Sequence, residues 1–274
     1  MKTVRLLLAG VFTCLAVYLF VSAPVPLPDD QAIAGNIETI EVAKLFNAVN
    51  VINETAREIY TKRIVGQGVL AGFAFGEDWA EPGVEKGPLP ALFLRLAANQ
   101  MERKPAPLGL YLGSDAPINA SNLFVGTQAG DFETLKATRA PVFSLTDGGT
   151  TVAMFPDIAS AGPCVTCHNE HADSPKKDWI LNDVMGATTW TYPSSQIAAS
   201  DYLTTVESFF QAVEEAYGLY ILKTQEFAQP IPIGTSWPTE GHKTLPNSAT
   251  FMAEVRAQAA DRVLAEMFVM ASND

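Results

Sequence analysis

The chain has 274 residues, 48% of them apolar, and a formal net charge of −12. That is apolar material enough for one large domain or two small ones. The charge argues against nucleic acid as a partner, because phosphate binding needs clustered Lys and Arg, and an acidic surface suits a basic partner instead.

Lys2 and Arg5 precede an apolar run from Leu6 to Ala23. Positive residues ahead of such a run place the N-terminus in the cytoplasm and the remainder outside it. The run has 18 residues, longer than the usual core of a signal peptide and just long enough to span a bilayer. Val21-Ser22-Ala23 has the small-residue form of a cleavage site, but Pro24 follows and hinders cleavage; Ala32-Ile33-Ala34 is a second match. An uncleaved inner-membrane anchor is expected, and a soluble periplasmic protein if the signal is cut. Either outcome puts the main domain in the periplasm. Cys14 lies within the apolar run, and Pro24, Pro26 and Pro28 make a stiff exit, so residues 1–35 form a signal or anchor unit.

A second unit is expected over 36–198. Asn36 is a candidate N-cap with Glu38 in the first turn. Ile37, Ile40, Leu45, Val49, Ile52, Ala56 and Ile59 then recur at mostly helical spacing, giving a long amphipathic helix that ends near Ile64, before Gly66 and Gly68. Such a helix serves as the stalk of a homodimer, as one wall of a cofactor pocket, or simply packs on its own domain. Gly72 to Pro90 is a loop, Pro90 to Arg103 a helix, Leu108 to Leu112 the start of a strand and Asp131 to Thr138 a short helix. Pro141 to Leu145 and Thr150 to Phe155 flank Asp147-Gly148-Gly149, a hairpin signal.

Next comes Cys164-Val165-Thr166-Cys167-His168 in a chain with only 3 Cys and 3 His. C-x-x-C-H is the attachment signature of a c-type haem. Two thiols add across the haem vinyl groups, the two residues between them set their separation, and the adjacent imidazole reaches the iron. One covalent haem c on Cys164 and Cys167, with His168 as proximal ligand, is the reading adopted. Two others compete. His171 extends the run to C-x-x-C-H-x-x-H, but zinc prefers two separated knuckles. A thioredoxin-type C-x-x-C pair needs a βαβ setting; Pro163 fits a helix start, yet no such pattern surrounds it.

The far face of the iron is left open. His171 follows His168 too closely to reach it, and reads as a partner of a propionate or the backbone, or as an exposed polar residue. Met154, on the hairpin strand that feeds the motif, is the first candidate, since Met ligation raises the potential and suits electron transfer. Met185, Met101, His242 and an open site are the others. Trp179 and Trp190 are expected near the porphyrin. Lys176 and Lys177 face solvent or the propionates; Asp178 and Asp183 read as turn residues. With no nucleophile–base arrangement, no phosphate loop, no second metal site and no distal acid–base pair, the chain does not read as an enzyme.

Ala187 to Tyr192 is a further strand. Ser200 opens an amphipathic helix, Gln229 to Pro246 is a loop, and Ser248 to Met270 closes the chain as a helix. Residues 199–274 thus read as a C-terminal helical extension, either a subdomain or a clamp on the sheet. Helices first and antiparallel strands around the motif give an α+β plan.

From Ile37 to Pro193 the chain resembles a family of periplasmic c-type haem domains with a PAS-like fold, among them a cyanobacterial c-type haem protein and the sensory parts of bacterial cyclases and chemoreceptors. The resemblance rests on the stretch from Cys164 to Trp179, on Asn182 to Ala187, on Leu110 to Ser114 with Pro117, and on Asp131-Phe132-Glu133. It does not extend over residues 200–274. It implies a PAS-like antiparallel sheet and His168 as an axial ligand. The cyanobacterial member takes its second ligand from a Cys, and this chain has no spare Cys outside the apolar run. Fused members carry a HAMP segment and an output domain, neither recognisable in this sequence. Two functions are therefore expected: a haem-based sensor of redox state or a diatomic gas, and an electron-transfer cytochrome acting as a carrier or a subunit of a respiratory complex.

Overall fold

The structure, a computed structural model, describes residues 39–160 and 162–271. The apolar run, the Pro-rich exit and the Asn36 cap lie outside the described residues. Among the described residues no helix is long and apolar enough to cross a membrane. The architecture is mixed, 48% helix and 20% strand, with small sheets, as an α+β plan requires.

Strand β1 (Thr39–Glu41) leads into helix α1 (Val42–Ile59). Val42, Leu45, Phe46, Val49, Ile52, Ala56 and Ile59 are buried along α1, a stripe at spacings of three and four. The expected stop near Ile64 is not observed. The backbone continues through a π-helical stretch, Tyr60–Gly66, into α2 (Gln67–Leu70). Gly68 does not break the helix, because packing uses its small size: a Cβ there would stand 3.1 Å from the Phe75 ring. The turn comes at Gly72, whose φ of +91° favours glycine.

Strands β2 (Ala74–Gly76) and β3 (Lys86–Pro88) pair in parallel before α3 (Pro90–Met101), which carries its Pro in the first turn. The main sheet comprises β4 (Gly109–Gly113), β5 (Val142–Leu145), β6 (Thr151–Ile158) and β7 (Val184–Tyr192). Its order is β4-β7-β6-β5 and every pairing is antiparallel. The hairpin closes where Asp147-Gly148-Gly149 lies, with Gly149 N donating to Thr146 O. Helix α4 (Thr127–Thr138) begins four residues earlier than expected.

Strand alternation gives the sheet two covered faces. Leu110, Leu112, Ala153, Phe155, Trp190 and Tyr192 join the main core with α1 and α3. Tyr111, Met154 and Ala187 pack with Phe124 and with Phe132 and Leu135 of α4. Strand β8 (Gln196–Ala198) pairs with β1, and the long helices α6 (Ala199–Thr224) and α7 (Ser248–Ala271) come after it. Both contribute to the same core as α1 and α3. Tyr60 stacks on Phe93 and Tyr217 on Phe251, each with ring centroids 4.2 Å apart. The buried hydroxyls of Tyr60 and Tyr217 donate to Pro88 O at 2.7 Å and Pro246 O at 2.8 Å, so neither is left unpaired. The loop after α6 holds one short parallel pair, β9 (Ile233–Gly234) with β10 (Leu245–Pro246).

Candidate functional site

The cysteine motif folds as a helix, α5 (Gly162–Glu170), between strands β6 and β7. Its approach is fixed by a register shift at the end of β6. Asp157 faces Gly186, but Ile158 faces Val184. Such a bulge bends the strand and re-aims the chain beyond it. Gly186 is required there, since a Cβ would lie 2.6 Å from Gly113 O. Ala159 N then donates to Asp183 O, and Asn182 N donates to Ala159 O, both at 2.9 Å.

Residues three and four apart share a helical face, so α5 presents Cys164, Cys167 and His168 together. Both thiols are free and exposed. Val165 anchors the helix by packing on Ala159, Trp179 and Met185. Burial pushes the Cys167 thiol above its ordinary pKa, and the charges of Glu77, Cys164 and Glu170 push the same way.

His168 is half-buried and meets Trp179 edge to face, ring centroids 6.4 Å apart at 87°. Its Nδ1 is buried without a hydrogen-bond partner. Burial drives the imidazole pKa below its ordinary value; Asp157 opposes this, His171 reinforces it and Glu77 opposes it. The ring is therefore held toward its neutral form, the form that donates a lone pair to a metal.

Trp179 is held by the side chain of Asn169. Trp179 N donates to Asn169 Oδ1, and Asn169 Nδ2 donates to Trp179 O, both at 2.9 Å. Lys176 Nζ stands 4.5 Å from the centroid of the indole. The chain then turns. Ile180 N donates to Asp183 Oδ2 at 3.0 Å, and Asn182 takes a φ of +71°. Asp183 thus ties the turn, and Ile180 and Leu181 are left exposed beside the site. Asp178 pairs with Lys176.

His171 Nδ1 accepts from Asp173 N at 3.1 Å, and its Nε2 lies 3.5 Å from Glu77 Oε2. Both ring nitrogens face these neighbours. Among the described residues no group of three or more His, Cys, Asp or Glu side chains is gathered to hold a metal ion.

Four residues that sequence reasoning did not single out belong to this neighbourhood, Asn169 and Glu77 described above and the pair Arg57 and Asp157. Arg57 of α1 donates through Nη2 to Asp157 Oδ1 at 2.6 Å. Asp157 raises the guanidinium pKa against the effect of burial, with lesser contributions from Glu54 and Cys164. A charged residue beside buried Ala56 on an apolar stripe was the available signal for Arg57; Asp157 carried none.

The methionines are dispersed. Met154 is wholly buried, in the cluster with Phe132 and Leu135. It lies three residues from Asp157 on β6, so the two side chains point to opposite faces of the sheet. Met185 belongs to the cluster that receives Val165, and Met101 to the main core. His242 sits in a tight turn with Thr239. Of the two tryptophans expected near the porphyrin, Trp179 touches the site, whereas Trp190 fills the main core and donates through Nε1 to Asn50 Oδ1 at 3.1 Å. In comparisons with known proteins, no family model, no curated protein and no solved structure matches the chain.

Proposed function

We propose that the chain is a periplasmic monohaem c-type cytochrome that senses redox state or a diatomic gas. Cys164 and Cys167 would hold the haem covalently and His168 would ligate its iron. One observation carries the reading: a single helical face offers two free, exposed thiols together with an imidazole held toward its neutral form. The donor set fits the group, thiols for the vinyls and an imidazole for the iron. When bound, haem would supply a reversible one-electron couple and an iron centre able to bind a diatomic gas.

The chain's own residues do the rest. Trp179 covers His168, and Val165 seats the helix on the end of the sheet. The PAS-like reading of the domain finds support in an antiparallel sheet whose first strand pairs with its last and whose faces are covered by α1 and α4. Sensing is favoured by the Arg57–Asp157 bond, which joins α1 to the strand that enters α5. A displacement of α5 bears on both. Placement outside the inner membrane, on an anchor or after cleavage, is inferred from Lys2, Arg5 and the apolar run.

Electron transfer is the second reading. It is favoured by the exposure of Cys164 and Cys167, which sets the edge of the attached group at the surface, in reach of a partner. The reduced absorption spectrum with and without CO and NO separates gas sensing from the other readings. A sensor of gas takes up CO rapidly. A low-spin spectrum indifferent to both gases would contradict gas sensing and leave redox sensing and electron transfer.

A further inference from the structure

We infer that Asn169 is a positioning residue that holds Trp179 against His168, fixing the plane of the imidazole and keeping water from it. The inference rests on the haem reading above and concerns how the chain presents its iron ligand. An imidazole ligand is ordinarily oriented by a hydrogen bond at its second nitrogen. Here Nδ1 of His168 has no such partner, and the edge-to-face contact with Trp179 is an aromatic restraint on that ring. Trp179 in turn is not anchored by its own polar group, because its Nε1 is also buried without a partner. Its backbone is gripped instead by the Asn169 amide, which accepts from Trp179 N and donates to Trp179 O, both at 2.9 Å. This copies a pair of strand hydrogen bonds with one side chain. Asn169 adjoins His168 in sequence, so one step of α5 carries both the ligand and the clamp. Lys176 stands over the ring, and Val165 and Met185 share the cluster that buries it.

A shielded imidazole disfavours the more highly charged ferric state, so loss of the clamp lowers the midpoint potential. The test uses the full-length haem-loaded protein and two readouts, midpoint potential and the EPR g values of the ferric form. Asn169→Ala and Trp179→Ala should each shift the potential downward and move the g values. Trp179→Phe, which keeps an aromatic edge, should return both close to wild type. The double variant Asn169→Ala/Trp179→Ala should shift no further than either single, since the two act as one unit. Asn169→Asp keeps the acceptor and loses the donor, and its g values should fall between, read apart from the potential, which the added negative charge lowers by itself; if the alanine variants fail to fold, the g values of Asn169→Asp and both readouts of Trp179→Phe decide the matter. Unchanged potential and g values in the Asn169 variants, or a Phe variant displaced as far as Ala, would overturn the inference while leaving the haem reading intact. A wild type without covalent haem would overturn both.

Discussion

Arg57 Nη2 and Asp157 Oδ1 lie 2.6 Å apart, and this bond adds a polar link between the long helix α1 and the strand that delivers the cysteine helix. The two side chains are 26% and 30% exposed, so the pair is neither surface decoration nor a dry ion pair. Asp157→Asn removes the charge that holds the guanidinium. It is expected to cost about 1–2 kcal/mol, between the values for exposed pairs and for hydrogen bonds to charged groups. Chemical denaturation checks this. An unchanged midpoint would show that the bond contributes nothing to the fold.

Asn50 receives the Trp190 indole N–H at 3.1 Å inside the main core. Asn50→Ala leaves that donor buried and unpaired, at a cost of about 1–3 kcal/mol. The urea midpoint should fall with the slope of the transition preserved. A fully stable variant would mean that the indole finds another acceptor.

Met154→Ala opens a cavity between β6 and α4. It is expected to cost about 2–5 kcal/mol. The reduced spectrum should not change, because Met154 faces away from the side of β6 that carries Asp157. A variant that becomes CO-reactive while wild type is not would assign Met154 as the distal ligand.

Glu58 of α1 accepts from Lys62 and from Arg262 of α7, and these bonds draw its carboxyl below the ordinary value in the folded state. The unfolded value is about 4.3. A lowered folded value means that the stabilisation is complete above the unfolded value and is lost as pH falls through the folded one. Solvent screening limits it to at most about 1 kcal/mol. Glu58→Gln should lower the melting temperature slightly at pH 7 and not at pH 2. Equal losses at both would show that the effect is not one of charge.

Much of the architecture was legible in the residues. The apolar stripe from Leu45 to Ile59, the Asp147-Gly148-Gly149 hairpin and the helices opening near Ser200 and Ser248 all come from period and turn chemistry. The extension of the first helix to Leu70 was not, because Gly68 is favoured by the phenylalanine rings it packs on and not by its helix propensity. At the site, Cys164, Cys167 and His168 were legible because their chemistry depends on adjacency in sequence. Arg57 and Glu77 arrive from far along the chain, and the grip of Asn169 on Trp179 spans ten residues of irregular backbone. No periodicity marks such contacts.

Covalent attachment is the property on which the functional reading depends most directly. The full chain should be expressed with a c-type maturation system, denatured, and run on a gel stained for haem, with metal content measured in parallel. Wild type should retain one haem per chain after denaturation, and Cys164→Ala/Cys167→Ala should lose it. A wild type that carries stoichiometric zinc and shows no haem absorbance would contradict the reading.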